Sequence, residues 1–245
     1  MFERIEQHLL RKILNAHSKT PVESIYLELG VIPFRFHLSC RRILYYQTIM
    51  MRPDDEVTKK VVTRQKERMI EGDFYTQVSA DMTNLNISEN DVLDSSYNTL
   101  KLKLKREITV AALSYLKEIG RNHSKVRNEM YTHLNGMSYF SSNRFTPDLS
   151  NLLFKFRTRM FNVRNNFRNY YKQQNTVCPV CQDGEDSQEH LFKCKLIRKI
   201  VETHGSVYED IFSDDVDTLL KVANVLKQLA KVREDFNDAN EEQRT

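Results

Sequence analysis

Apolar residues recur at three- and four-residue intervals along most of the chain, the period of a helix that turns one side to a core. Phe2, Ile5, Leu9, Ile13 and Ala16 predict an amphipathic helix over residues 2–16. A second helix is predicted after Thr20, with Pro21 in its first position, Glu23 completing a capping box and Gly30 as the stop. A third runs from Pro33 through "FRFHLSCRRILYYQTIM" to about Arg52, where Pro53 ends it. Shorter helices follow over 55–70 and 73–83, and Ser88 with Asp91 can cap a single turn inside the polar run "TNLNISENDVLDSSYN".

Residues 97–119 carry two periods at once. Lys101, Leu102, Lys103, Leu104 and Lys105 alternate as a strand would, whereas Ile108, Ala111, Ala112, Tyr115 and Ile119 have helical spacing, and the longer pattern favours helix. After the linker "NGMSYFSSNRFTPDLS", Pro147 opens a helix predicted to reach Tyr171. Leu153, Phe156, Met160, Val163, Phe167 and Tyr170 form its apolar stripe, and Arg157, Arg164, Arg168 and Lys172 a neighbouring basic one. From Lys155 to Lys172 there are six basic residues and no acidic one, Arg159 being the sixth. A solvated face normally mixes both signs, so this stripe points instead to contact with phosphates. Near the end, Val216, Leu219, Leu220, Ala223, Leu226, Leu229 and Ala230 predict one more helix, capped by Ser213 or Asp214.

Composition agrees with a mostly α chain. In 245 residues there are only six glycines and five prolines, too few for a fold made of many tight turns. No window approaches the ~18 apolar residues of a membrane span, and the start "MFERIEQHLL" lacks the pattern of a secretory leader, so an intracellular protein of nucleus or cytoplasm is expected, with no membrane partner. The net charge of +4 is uneven: from Gly205 onward ten acidic residues face five basic ones, a net of −5, which leaves about +9 on residues 1–204. A basic body with an acidic tail suits a polyanionic partner.

The most specific chemistry lies in "TVCPVCQDGEDSQEHLFKCKLIRK". Cys178, Cys181, His190 and Cys194 follow the pattern Cys-x2-Cys-x8-His-x3-Cys. A tight turn lets the first two cysteines face one ion. Asp183-Gly184 turns the chain again, and Asp186 with Glu189 caps a helix that sets His190 and Cys194 one turn apart. Three thiolates and an imidazole are a complete tetrahedral set for zinc, with no position left for a water, so the site reads as structural. Such sites contribute on the order of 10 kcal/mol to folding. Lys193 and Lys195 can offset the surplus negative charge. Cys40, inside an apolar helix, reads as a core thiol. No Walker loop, Gly-x-Ser-x-Gly or His-Glu-x-x-His occurs.

"AHSKTPVESIYLELGVIPFRFHLSCRRILYYQTIM", followed by "FKFRTRMFNVRNNF" and "CPVCQDGEDSQEHLFKC", resembles the C-terminal region of non-LTR retrotransposon reverse transcriptases, downstream of the polymerase palm. The resemblance covers residues 1 to about 200. It implies a helical thumb-like segment and a zinc-binding module that helps grip nucleic acid, with Cys178, Cys181, His190 and Cys194 as the zinc ligands. No counterpart of the palm's catalytic aspartates is found. "FSDD" at 212–215 resembles a polymerase signature, but it precedes a helical pattern rather than lying between two apolar strands.

The expectation is therefore a helical bundle followed by a small Cys3His zinc module and a C-terminal helix, divided into 1–86, 87–172 (with the basic helix at 147–171), 173–204 and 205–245. The chain is expected to be non-catalytic and to bind RNA or DNA with little sequence preference. Lys155, Arg157, Arg159, Arg164, Arg168 and Lys172 would contact phosphates, and Tyr170 and Tyr171 would stack on bases. The alternative is a helical interaction protein, or an inactive element fragment, in which zinc only staples the fold.

Overall fold

The computed structural model describes residues 2–123, 125–127, 131–171 and 176–242, with backbone alone for 168–171 and 237–242. It is 66% helical. Thirteen α-helices and a 3-10 turn are present among the described residues, and the one strand-like pairing is an isolated antiparallel bridge, Val177 to Glu185. The chain forms two compact units whose segments interleave: Met1–Gln7 with Val31–Ile119, and His8–Gly30 with Gly120–Thr245. The divisions expected at residues 86 and 204 are not boundaries between these units.

Helix α1 (Phe2–Ile13) begins in the first unit and ends in the second. Its apolar stripe stays at the surface: Phe2, Ile5, Leu9 and Ile13 are 65%, 52%, 53% and 74% exposed. The polar side is the attached one, with Glu3 paired to Arg35 and Glu6 accepting from the Phe34 amide at 3.1 Å.

The first unit continues with α3 (Phe34–Met50), α4 (Val57–Arg68), α5 (Phe74–Asn84), α6 (Glu89–Asp94) and α7 (Tyr97–Gly120). In α7 the helical period wins. Leu100, Leu104, Ile108, Ala112 and Leu116 are buried one turn apart, while Leu102 and Val110 face solvent. The Ser88–Asp91 capping box forms as the sequence predicts. Cys40 is half-buried, and burial raises its thiol above the ordinary value.

The second unit holds α2 (Val22–Leu29), α8 (Ser138–Ser141), α9 (Pro147–Arg157), α10 (Arg164–Tyr171), α11 (Gln188–Lys193), α12 (Arg198–His204), the 3-10 turn Tyr208–Phe212 and α13 (Val216–Glu242). The predicted capping box at Thr20 does not form. Pro21 stands in the N-cap position without a side-chain bond, and the buried Thr20 hydroxyl has no partner. Gly30 does end α2, in the left-handed region at φ 65°, and a Cβ there would lie 2.0 Å from the Gly136 amide nitrogen. That approach lets Met137 donate to the Glu28 carbonyl at 2.9 Å.

The predicted helix 147–171 is two helices. Thr146 caps α9 with Pro147 in its first position, but the helix stops at Arg157. Met160 donates to the Lys155 carbonyl and Arg159 to that of Phe156, with Arg159 left-handed at φ 53°, which is a Schellman ending built on a residue other than glycine. The last helix, α13, packs along α9 and touches α8, α12 and the 3-10 turn. Leu219, Val222, Ala223, Val225, Leu226 and Leu229 are wholly buried, so the apolar face of residues 216–229 belongs to the core of this unit. Its cap is Asp215, which accepts from the Thr218 amide at 2.8 Å, rather than Ser213 or Asp214.

Candidate metal centre

The metal loop begins where Asp186 donates to the Thr176 carbonyl and Cys178 to the Gly184 carbonyl at 3.0 Å, closing residues 177–185 into a knuckle. Inside it Gln182 donates to the Cys178 carbonyl at 2.9 Å and adopts φ 52°. Gly184, at φ 94°, adopts a backbone conformation that other residues rarely take, and a Cβ there would crowd the imidazole, 3.1 Å from Cε1 and 3.2 Å from Nδ1 of His190. The knuckle thus sets Cys178 and Cys181 on one side and leaves room for the imidazole on the other.

Helix α11 delivers the second pair. Ser187, not Asp186, is its cap, accepting from the His190 amide at 3.0 Å, and Leu191 and Phe192 bury the helix. Cys194 follows the last turn, where its carbonyl accepts from Ile197 and Arg198. One ligand atom from each of Cys178, Cys181, His190 and Cys194 lies within 4.8 Å of every other, and among the described residues this is the one such cluster. Cys181 Sγ is 3.3 Å from His190 Nε2. Edges of roughly 3.5–3.8 Å follow from metal–sulfur and metal–nitrogen bonds of about 2.3 and 2.0 Å in a tetrahedron, so the cluster could hold a metal ion by drawing in from separations of up to 4.8 Å.

The electrostatics agree with a cation. Burial pushes the Cys178 thiol up and Cys194 up to about 11. At Cys181 burial acts the same way, but the Asp183 amide and the neighbouring thiols outweigh it and hold that group below its ordinary value. Three sulfurs gathered in a half-buried site resist ionising together unless a positive charge sits among them. Lys195 pairs with Asp183 at 2.6 Å, and the Cys181 and Cys194 charges add to the pull of Asp183 that raises its pKa.

Side chains of the loop reach outward to the rest of the unit. Asp186, fully buried, accepts two bonds from Arg233 at 2.7 and 3.0 Å and one from the Arg164 amide at 2.8 Å. Gln188 donates to the Phe156 carbonyl at 2.7 Å and accepts from Asn166 at 2.8 Å. Glu189 lies 3.3 Å from Arg159 and 3.6 Å from Arg127 and accepts from the Tyr208 hydroxyl. No family model, curated protein or solved structure matches the chain.

The expected phosphate contacts divide. Arg157 is a correction: it is 2% exposed and its guanidinium pairs with the fully buried Glu28 at 2.9 Å, so it cannot reach a ligand. Lys155 is half-buried and carries no ion pair among the described residues. Arg159 is bound to Glu189, and Arg164 opens α10 with its guanidinium 3.0 Å from the Val177 carbonyl. The side chains of Arg168, Tyr170 and Tyr171, and all of Lys172, lie outside the described residues. Lys125, largely buried with Nζ 3.1 Å from the Asn166 carbonyl, is pushed down to about 8 by burial and by the charge of Arg159. Asp214 and Asp215 lie in a capping turn before α13, where the Asp215 amide donates to the Ser213 hydroxyl.

The sequence does not mark Arg233 or Gln188 as parts of this site. Arg233 meets Asp186 across 47 residues, and no local pattern announces such a pair.

Proposed function

We propose that the chain is a non-catalytic nucleic-acid-binding protein in which Cys178, Cys181, His190 and Cys194 hold a structural zinc ion and the adjoining basic helix contacts the phosphates of RNA or DNA. The carrying observation is the coupling of the two elements: the metal loop accepts the first amide of α10 on Asp186 and holds the Arg164 side chain at Val177. A set of four protein ligands leaves no coordination position for a substrate or water, which favours a structural over a catalytic metal. The ligand pattern and the resemblance to the region downstream of a retrotransposon polymerase support the same reading, in which Lys155, Arg159, Arg164, Arg168 and Lys172 form the phosphate-facing set.

The test is a filter-binding titration of RNA and DNA oligonucleotides over a range of salt. Arg164→Ala with Arg168→Ala is expected to weaken binding to all sequences alike and to reduce the salt slope by about 1.5 to 2, close to one for each phosphate that is no longer neutralised. Unchanged affinity and slope would refute the reading. A helical interaction protein is the second possibility, favoured by the exposed apolar stripe of α1, and it takes precedence if the zinc-loaded protein binds neither polymer.

A further inference from the structure

Asp186 sits in the loop between the two ligand pairs, and every polar group it owns is engaged. Its carboxylate takes three N–H bonds, its amide donates to Thr176 and its carbonyl accepts from Asn165. Arg233 is 7% exposed and also donates to the Asn162 carbonyl at 3.0 Å. A guanidinium buried to this degree requires its carboxylate, because an unpaired buried charge is costly. If the loop opens, Asp186 leaves, and Arg233 cannot stay where it is. Arg233 lies one turn beyond Leu229, the last wholly buried leucine of α13, so the segment that would leave with it is the distal part of the helix.

We propose that Arg233 and Asp186 are positioning residues of the metal centre, and that metal binding and docking of the distal part of α13 are one coupled event. The inference rests on the reading of the cluster as a zinc site. Coupling of this kind is reciprocal: what the ion contributes to holding the helix, the helix contributes to holding the ion. The C-terminal helix is then a functional part of the metal module, although it begins more than twenty residues after the last ligand.

Two measurements on the full chain test this. Zinc affinity is read by competition with a chromophoric chelator for wild type, Arg233→Met, Asp186→Asn, their combination and Arg233→Lys, with Tyr139→Phe as a control for general destabilisation elsewhere in the same unit. Each single variant is expected to bind zinc about tenfold more weakly. The double variant should lose no more than either single one, Arg233→Lys should recover part of the loss, and Tyr139→Phe should bind as wild type. Hydrogen exchange on the wild type, which needs no variant to fold, compares zinc-loaded with chelator-treated protein. Amides from Leu229 to Asp235 should lose protection while those from Val222 to Leu226 keep it. Arg233→Met with wild-type zinc affinity, or loss of protection uniform over α9 and all of α13, would overturn the coupling and leave the zinc reading intact. A wild type that takes up no zinc would overturn both.

Discussion

Replacing Arg157 with methionine should cost the second unit about 4 kcal/mol of stability without touching nucleic-acid affinity. The guanidinium shares its one Nε–H between the two Glu28 oxygens, at 2.9 and 3.1 Å, and donates to the Ile211 carbonyl and to Met137 sulfur. Burial works against its charge, but the Glu28 carboxylate outweighs it and raises the pKa of Arg157. Burial and Glu28 also push Tyr131 and Tyr139 well above their ordinary values, so both stay protonated and donate to the same carboxylate. Methionine preserves the packing of the stem and removes only the charge and its bonds. Glu28, fully buried, is then left with two phenols, and the Ile211 carbonyl loses its donor. Breaking one side of a buried pair costs about 3–5 kcal/mol. With a urea slope of about 2 kcal/mol/M for a unit of this size, the midpoint should fall by roughly 2 M. Urea titration followed by far-ultraviolet circular dichroism measures it. Adding Glu28→Gln should cost less than the sum of the single changes, because the two residues share one network. A midpoint for Arg157→Met within roughly 0.5 M of wild type, against that slope, would show that the network does not support the fold, and weaker RNA binding by folded Arg157→Met would show that the residue is reachable after all.

Two further outcomes are expected. Met69 ends α4 in the left-handed region at φ 49° with its side chain 55% exposed, so Met69→Gly should raise the stability of the first unit by about 1 kcal/mol, read as a higher urea midpoint; an unchanged or lower midpoint would contradict this. Gly184→Ala should weaken zinc binding at least about tenfold while leaving the helical circular dichroism unchanged, since its methyl would displace the His190 ring; wild-type affinity would show that the imidazole is not held where the ion needs it.

How far the sequence could be read depended on the distance over which each feature is determined. The prolines that bound α3 and the stripes that define α7 and α13 are local, and these helices lie close to where those signals put them. The convergence of Cys178, Cys181, His190 and Cys194 into a cluster that could hold a metal ion is legible for the same reason, since they lie in a short stretch whose turns and caps are its own. The break after α9 was not legible. Thr158 to Val163 contains neither glycine nor proline, and the left-handed residue that ends the helix is Arg159, at a cost of roughly 1–2 kcal/mol that the surrounding packing offsets. Helical periodicity puts Arg157 on the phosphate-contacting stripe because its partner Glu28 lies 129 residues away and no helical wheel contains it. Burial of a charged residue is decided by what it meets, and that meeting was tertiary in both Arg157 and Arg233.

The C-terminal segment carries this point into function. Its net charge of −5 contrasts with the basic body that precedes it. In the fold, Asp217, Lys221, Lys227, Lys231, Glu234 and Asp235 are exposed, while among the described side chains of α13 those that are buried are apolar except for Arg233, whose sign is opposite to that of the segment. The net charge therefore describes the outer surface and says nothing of what the inner one grips. Removing residues 205–245 would take away Leu219, Val222, Leu226 and Leu229 and leave Asp186 buried without its arginine, so it would dismantle the unit rather than uncover a site. Whether acidic charge on α13 restrains nucleic-acid binding has to be asked one exposed residue at a time, at Glu234 or Asp235, with Arg233 and the apolar face left in place.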